Sequence, residues 1–237
     1  MARTIAALMR HGHYHQPEHT PSAHLPYPLT ETGREQATSV AREVLEVAEE
    51  QGWAVDPVIE TSHLLRAWET GRIIRERWVE MLARGFTVES FEDLSERSVG
   101  SAANLTEEQI TAIVEADPRH ELPPNWRLDS VLRLPFSGAE SLMEAGERVL
   151  RHLDHRFRDL AEVATVDTVR LVVGHGGSIR HAAIHMGILR LEEVLGLSMR
   201  NCGVVYFERF PDGSWKHVLG EWKVRDRKPA ESWAPRD

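Results

Sequence analysis

A chain of 237 residues with 37 Asp and Glu against 28 Lys and Arg repels nucleic acid and anionic membranes over most of its surface, so an anionic substrate would need a local basic pocket. Cys202 is the single cysteine, which excludes an intrachain disulfide and any cysteine-rich metal site. No apolar run approaches the roughly 20 residues of a membrane span, and the short apolar run after Arg3 falls short of a signal-peptide core, so a cytoplasmic protein is expected.

In chain order, the first element is the apolar run Ile5-Ala6-Ala7-Leu8-Met9, which ends abruptly in Arg10-His11-Gly12-His13. A buried strand that delivers these residues at its tip can hold and attack phosphate. Arg offers a bidentate fork for phosphate oxygens, neutral His is a nucleophile, and Gly lets the backbone turn close to a ligand. Between His15 and Leu29 lie four prolines and two further histidines, a polar loop suited to one wall of a cleft. Thr30 or Thr32 then caps a helix whose stripe Ala37, Val40, Ala41, Val44, Leu45 and Ala48 closes at Gly52.

Val58 to Thr61 reads as a short buried strand, with Ser62 as cap of a helix that runs to about Arg84, carries Arg66 in its first turns and ends at Gly85. Phe86 to Phe91 alternates as a strand, and residues 93–100, with Glu96 and Arg97, read as a loop. Thr106 caps a helix to Ala116. Asp117 to Pro135, with four prolines, is irregular. Gly138-Ala139-Glu140-Ser141 opens a helix with the stripe Leu142, Gly146, Val149, Leu150, Leu153, Phe157 and Leu160. The second apolar run, Val169-Arg170-Leu171-Val172-Val173, ends in Gly174-His175-Gly176-Gly177 and turns into a helix to about Met186. A shorter helix follows near Glu192. Val204 to Phe210 and Trp215 to Leu219 flank a Pro-Asp-Gly-Ser turn, a β-hairpin.

Strands alternating with amphipathic helices predict an α/β fold: a three-layer α/β/α sandwich with a largely parallel sheet, helices on both faces, and an antiparallel C-terminal edge hairpin. Two strand tips carrying His-Gly meet only if their strands are neighbours, and ligands in such folds sit beyond the C-terminal strand ends.

These residues resemble the histidine phosphatase superfamily, the phosphoglycerate-mutase-like family. Arg10-His11-Gly12 matches its defining motif, and Pro28-Leu29-Thr30-x-x-Gly33-x-x-Gln36-Ala37 the segment that follows. Ser62-x-x-Leu65-Arg66-Ala67-x-x-Thr70 matches its second arginine block, Leu94-x-Glu96-Arg97-x-x-Gly100 its acid loop, and Val173-Gly174-His175-Gly176-Gly177-x-Ile179-Arg180 its second histidine block. The resemblance implies a single domain over 1–237, with 101–137 as a cleft-covering insertion and 225–237 as a mobile tail. It casts His11 as the nucleophile that becomes a phosphohistidine, and Glu96 as general acid and base. Arg10, Arg66 and His175, the last protonated near bound phosphate, would neutralise charge in the transition state. His13, Arg97, Gly176 and Gly177 join Arg10 and Arg66 as expected substrate contacts. Neither a metal nor a cofactor is expected.

Within the family the acid loop resembles the mutase branch in part. The Tyr and Lys that mutases carry there are replaced by Ser98, Val99, Ser101, Ala102 and Ala103, and the paired carboxylate-binding arginines shrink to Arg119, Arg127 or Arg133 singly. His13-Tyr14-His15 resembles a protein-phosphatase branch. The expected activity is therefore a phosphomonoester phosphatase, with a cofactor-dependent phosphoglycerate-type mutase as the alternative and a small phosphorylated substrate or a phosphoprotein as partner. Two other classes compete: a metal-dependent hydrolase using His11 and His13, which leaves Arg10 unexplained, and an inactive phosphate-binding module. Trp215, Trp222 and Trp233, taken as exposed, hint at a homodimer contact.

Overall fold

A computed structural model describes residues 2–225. In chain order the elements are β1 (Thr4–Arg10), α1 (Glu31–Glu50), β2 (Ala54–Val55), β3 (Val58–Ser62), α2 (Leu65–Leu82), β4 (Thr87–Phe91) and α3 (Glu107–Glu115). There follow α4 (Leu142–Val163), β5 (Thr168–Gly174), α5 (Gly176–His185), α6 (Leu191–Val194), β6 (Leu197–Ser198), β7 (Val204–Arg209), β8 (Trp215–Leu219) and β9 (Lys223–Val224).

The main sheet runs β4-β3-β5-β1-β7-β8, with β2 beside β5. From β4 to β1 the strands are parallel; β7 and β8 close the other edge antiparallel. Successive side chains of β1 point to opposite faces. Ile5, Ala7 and Met9 pack with α1 and α2 residues such as Val40, Val44 and Ile74, while Ala6 and Leu8 pack with α4 and α5 residues such as Leu153, Phe157 and Ile179. A strand with apolar side chains on both faces has to lie in the middle of three layers. Parallel pairing sets Arg10 opposite Gly174, so the chain leaves both strands at the same height, with His11 and His175 side by side.

Local capping explains most helix starts. The Thr30 side chain accepts from Gly33 N, and Thr106 and Ser141 each form a capping box, with Gln109 and Glu144. Helix α2 differs from expectation at both ends. Ser62 continues β3 opposite Phe91 of β4, so the helix starts at Leu65; the Ser62 hydroxyl instead accepts from Leu64 N at 3.1 Å. At the other end Ala83, not Gly85, takes the left-handed conformation (φ 49°).

Residues 101–137 carry α3 and a small apolar cluster of their own. Ile110, Trp126 and Leu134 pack with Val99, Ala139 and Ala23 of the proline-rich loop. The tryptophan expectation needs correction. Trp215 is buried against Phe157 and donates its ring N–H to Asp154 at 2.8 Å, and half-buried Trp222 packs on Phe207 and His217. Trp215, the first residue of β8, faces α4, and Trp222 lies against the hairpin, so they offer no exposed patch. Trp233 and the expected tail from 226 onward lie outside the described residues. Among the described residues no helix is long and apolar enough to cross a membrane.

One charged group is fully buried between the sheet and α4. Glu60 on β3 accepts from His152 at 2.7 Å, Arg156 at 2.6 Å and Arg170 at 3.0 Å, and Arg170 also reaches Asp56 at 3.0 Å. Burial would push the Glu60 carboxyl up, but the hydrogen bonds from His152 and Arg156 hold it below the usual carboxylate range. Removing one member strands the others in a dry interior. We expect Glu60→Ala to cost about 3–5 kcal/mol in urea unfolding, while a value under 1 kcal/mol would show the cluster to be solvated.

Candidate active site

The site is built where β1 and β5 end. His11 N–H donates to Gly174 O at 3.0 Å, and Cys202 N–H donates to Arg10 O at 2.9 Å, so the strand tip is held from both sides. Gly12 N–H donates to the Thr70 hydroxyl of α2 at 3.1 Å. A Cβ on Gly12 would sit 2.6 Å from Gly33 O at the start of α1. Only the absence of that carbon lets the two backbones close.

The His11 ring is 1 % exposed, and its tautomer is fixed by its neighbours. Nδ1 lies 2.7 Å from Gly12 O, a group that can only accept, so Nδ1 carries the proton and the Nε2 lone pair faces inward. Arg66 Nε donates to that Nε2 at 3.2 Å. Burial first, then the charges of Arg66 and Arg10, hold the His11 pKa well below its ordinary value of 6.5. The ring is therefore unprotonated at neutral pH.

Arg66 has no exposed surface. Besides His11, it donates to Leu25 O at 3.0 Å and Ala23 O at 2.9 Å, and its guanidinium lies 4.6 Å from the centre of the Tyr14 ring.

His175 sits with its ring centre 5.0 Å from that of His11. It has no exposed surface, and neither ring nitrogen has a hydrogen-bond partner. Burial, then Arg66, His11 and Arg10, hold its pKa well below 6.5. The protein alone thus favours a neutral ring here; the expected protonation requires the added negative charge of a phosphate.

Glu96 lies on the far side of the hollow. Its carboxylate accepts from Gly177 N at 3.1 Å and Ser178 N at 3.0 Å, the N-terminus of α5, and from Arg97 N at 2.9 Å. A helix start with free N–H groups holds an anion, and here a tethered carboxylate takes that place. A Cβ on Gly177 would come within 2.6 Å of Glu96 Oε1.

A cavity of about 310 Å³ opens on part of this constellation, lined by Arg10, His11, Glu96, Arg97, Gly176 and Gly177, whereas Arg66 and His175 are fully buried and do not line it. Arg127, Arg180 and Arg225 add further positive charge. One carboxylate against five guanidinium groups makes a basic pocket in an acidic protein. Arg10 is itself tied to Met199 O at 2.8 Å, and Arg127 to Glu107.

His13 is a further expected contact that the structure does not bring to the cavity. After Gly12 the chain is drawn onto the start of α1, where His13 N donates to Gln36 Oε1 and its ring meets the Thr30 hydroxyl at 2.9 Å. His13 and His15 are exposed while His11 is buried, so their alternate spacing does not converge. Among the described residues no three His, Cys, Asp or Glu side chains gather to hold a metal. Of the three single arginines considered for a carboxylate, Arg127 reaches the cavity, whereas Arg119 pairs with Asp117 and Arg133 with Glu144. His24 was not anticipated; it lies in a proline-rich loop without periodicity, and no local signal marks it.

A profile of the histidine phosphatase superfamily (branch 1) matches residues 6–221. The 2,3-bisphosphoglycerate-dependent phosphoglycerate mutase of Parvibaculum lavamentivorans is 30% identical over 181 residues, 76% of this chain and 78% of that protein. Phosphoglycerate mutase 2 of Gloeobacter violaceus, also 2,3-bisphosphoglycerate-dependent, is 30% identical over 194 residues, 81% and 79% of the two chains. Among solved structures, mycobacterial glucosyl-3-phosphoglycerate phosphatase superposes with a TM-score of 0.67 at 23% identity, covering 93% of this chain and 98% of that one. It shares the fold.

Two outcomes follow from the geometry. Gly177→Ala leaves the unfolding midpoint nearly unchanged, because the atom it meets is the end of a flexible side chain, but lowers turnover by displacing the Glu96 carboxylate; unchanged turnover would show that seat to be irrelevant. The second concerns acid. His11 and His175 have depressed pKa values, and burial holds His181 at about 4, so the unfolded chain takes up protons first as pH drops below 6.5. Stability complete above 6.5 should fall steadily toward pH 4, read as a declining urea midpoint; a flat midpoint from 7 to 5 contradicts it.

Proposed function

This chain belongs to the histidine phosphatase superfamily, and on that premise we propose that it is a phosphomonoesterase acting through a phosphohistidine on His11. The observation that carries the reading is the unprotonated His11 Nε2, its tautomer set by the Nδ1–H bond to Gly12 O, which accepts from Arg66 Nε and lies in a ring 5.0 Å from that of His175.

In the first half-reaction Nε2 attacks phosphorus in line. The P–N bond forms as the P–O bond to the alcohol breaks, and protonated Glu96 gives its proton to the leaving oxygen. In the second, Glu96 takes a proton from water as the water oxygen attacks phosphorus, the P–N bond breaks, and inorganic phosphate leaves. Arg10, Arg66 and His175 stabilise the equatorial oxygens throughout, the role a metal plays in many other phosphoryl-transfer sites. The cavity volume suits a small phosphate ester.

The mutase relatives support a second reading, in which the phosphoryl group returns to a hydroxy acid held in the site. That outcome needs a clamp that retains the product between transfers. Against it, Val99 and Ala102 turn into the apolar cluster beside the acid loop, and Arg127 already pairs with Glu107.

Purified protein assayed with p-nitrophenyl phosphate, a panel of phosphorylated metabolites and phosphopeptides should turn over fully in EDTA and trap an acid-labile phosphohistidine. His11→Ala should abolish both turnover and label, and Glu96→Gln should lower alkyl-ester turnover about 10²–10⁴-fold. Turnover retained by His11→Ala, or lost in EDTA, overturns the proposal. Isomerisation of 3-phosphoglycerate faster than hydrolysis would select the mutase.

A further inference from the structure

We propose that His24 is a positioning residue for the proton donor: it fastens the Glu96 segment to the loop that holds the phosphate-binding arginine. The inference rests on the reading of Glu96 as general acid. The half-buried His24 ring places Nε2 3.1 Å from the main-chain carbonyl of Glu96. A carbonyl only accepts, so Nε2 carries the proton and donates. On either side of His24, the carbonyls of Ala23 and Leu25 accept from the two terminal nitrogens of Arg66, whose Nε reaches His11. Three consecutive residues therefore join the acid to the nucleophile: the outer two hold the arginine through their backbone, and the middle one holds the acid's backbone through its ring.

The acid segment has a second tether, on the other side. Arg148 of α4 donates to the carbonyls of Asp93 at 2.7 Å and Ser95 at 3.2 Å. That contact secures the segment to the helix layer but leaves the distance between Glu96 and the loop at 23–25 to His24. Losing the His24 bond should loosen the placement of the carboxylate while leaving Arg66 in its cradle, because the carbonyls that hold Arg66 survive any side-chain change at 24. Proton donation is sensitive to donor placement, and phosphate binding by arginine is less so.

The test compares two esters. An alkoxide needs a proton to leave, whereas p-nitrophenolate leaves with little help, and kcat/KM reports only the steps up to formation of the phosphoenzyme. For His24→Ala, kcat/KM for β-glycerol phosphate should fall on the order of 10-fold while that for p-nitrophenyl phosphate changes less than about 2-fold. Inhibition by inorganic phosphate should stay the same. His24→Gln, whose amide nitrogen falls where Nε2 was, should recover most of the alkyl-ester activity. A parallel fall on both esters together with weaker phosphate inhibition would make His24 a structural support of the loop, and unchanged activity on both would leave it no role; either result overturns the inference. Wild-type protein inactive on both esters would instead sink the phosphatase reading, and this inference with it.

Discussion

Arg66 is fully buried with its charge intact, and the site depends on how that charge is accommodated. An unpaired buried guanidinium would be ruinous to stability. Here the terminal nitrogens meet the carbonyls of Ala23 and Leu25, Nε meets His11, and the aromatic face of Tyr14 lies alongside. Among the described residues no carboxylate forms an ion pair with it, although Glu96 exerts some attraction. The positive charge is hydrogen-bonded without a directly paired anion, and such a buried cation attracts a phosphate dianion strongly.

The same charge settles the state of the two imidazoles. With Arg66 and Arg10 close by and water excluded, a proton on His11 or His175 is disfavoured. The same cations therefore keep Nε2 of His11 unprotonated. Glu96 lies on the opposite side of the hollow. Glu96 rests on backbone N–H groups at the start of α5, close to several arginines. Arg66, His11 and Glu96 each stand on a different segment, and the sheet register, Arg10 opposite Gly174, sets His11 beside His175 between them.

Charge is handled differently at Glu60, where the acid and its partners are buried together. Two arginines and a histidine surround one carboxylate, and Asp56 and Glu89 balance the outer guanidinium groups. That cluster pairs every charge, leaving only the buried Arg170 Nε without a hydrogen-bond partner, and it ties β3, β4, β5 and α4 to one another. The hollow beside His11 is open and rich in arginines. The protein's overall negative charge makes that contrast sharper for an approaching anion.

The sequence by itself determined the elements and the motif residues. Both apolar runs ending in His-Gly, the stripes of α1 and α4, and the caps Thr30, Thr106 and Ser141 are set by period and by hydrogen bonds within three or four residues, so they are legible without the fold. Tertiary structure alone decided matters of longer range. Pairing of β3 with β4 drew Ser62 out of the helix it was expected to cap, packing against α4 buried Trp215, and the docking of residues 13–29 on α1 and α2 turned His13 outward and His24 inward. The partner of a loop side chain is supplied by segments tens of residues away, and only the assembled sheet brings them within hydrogen-bond reach.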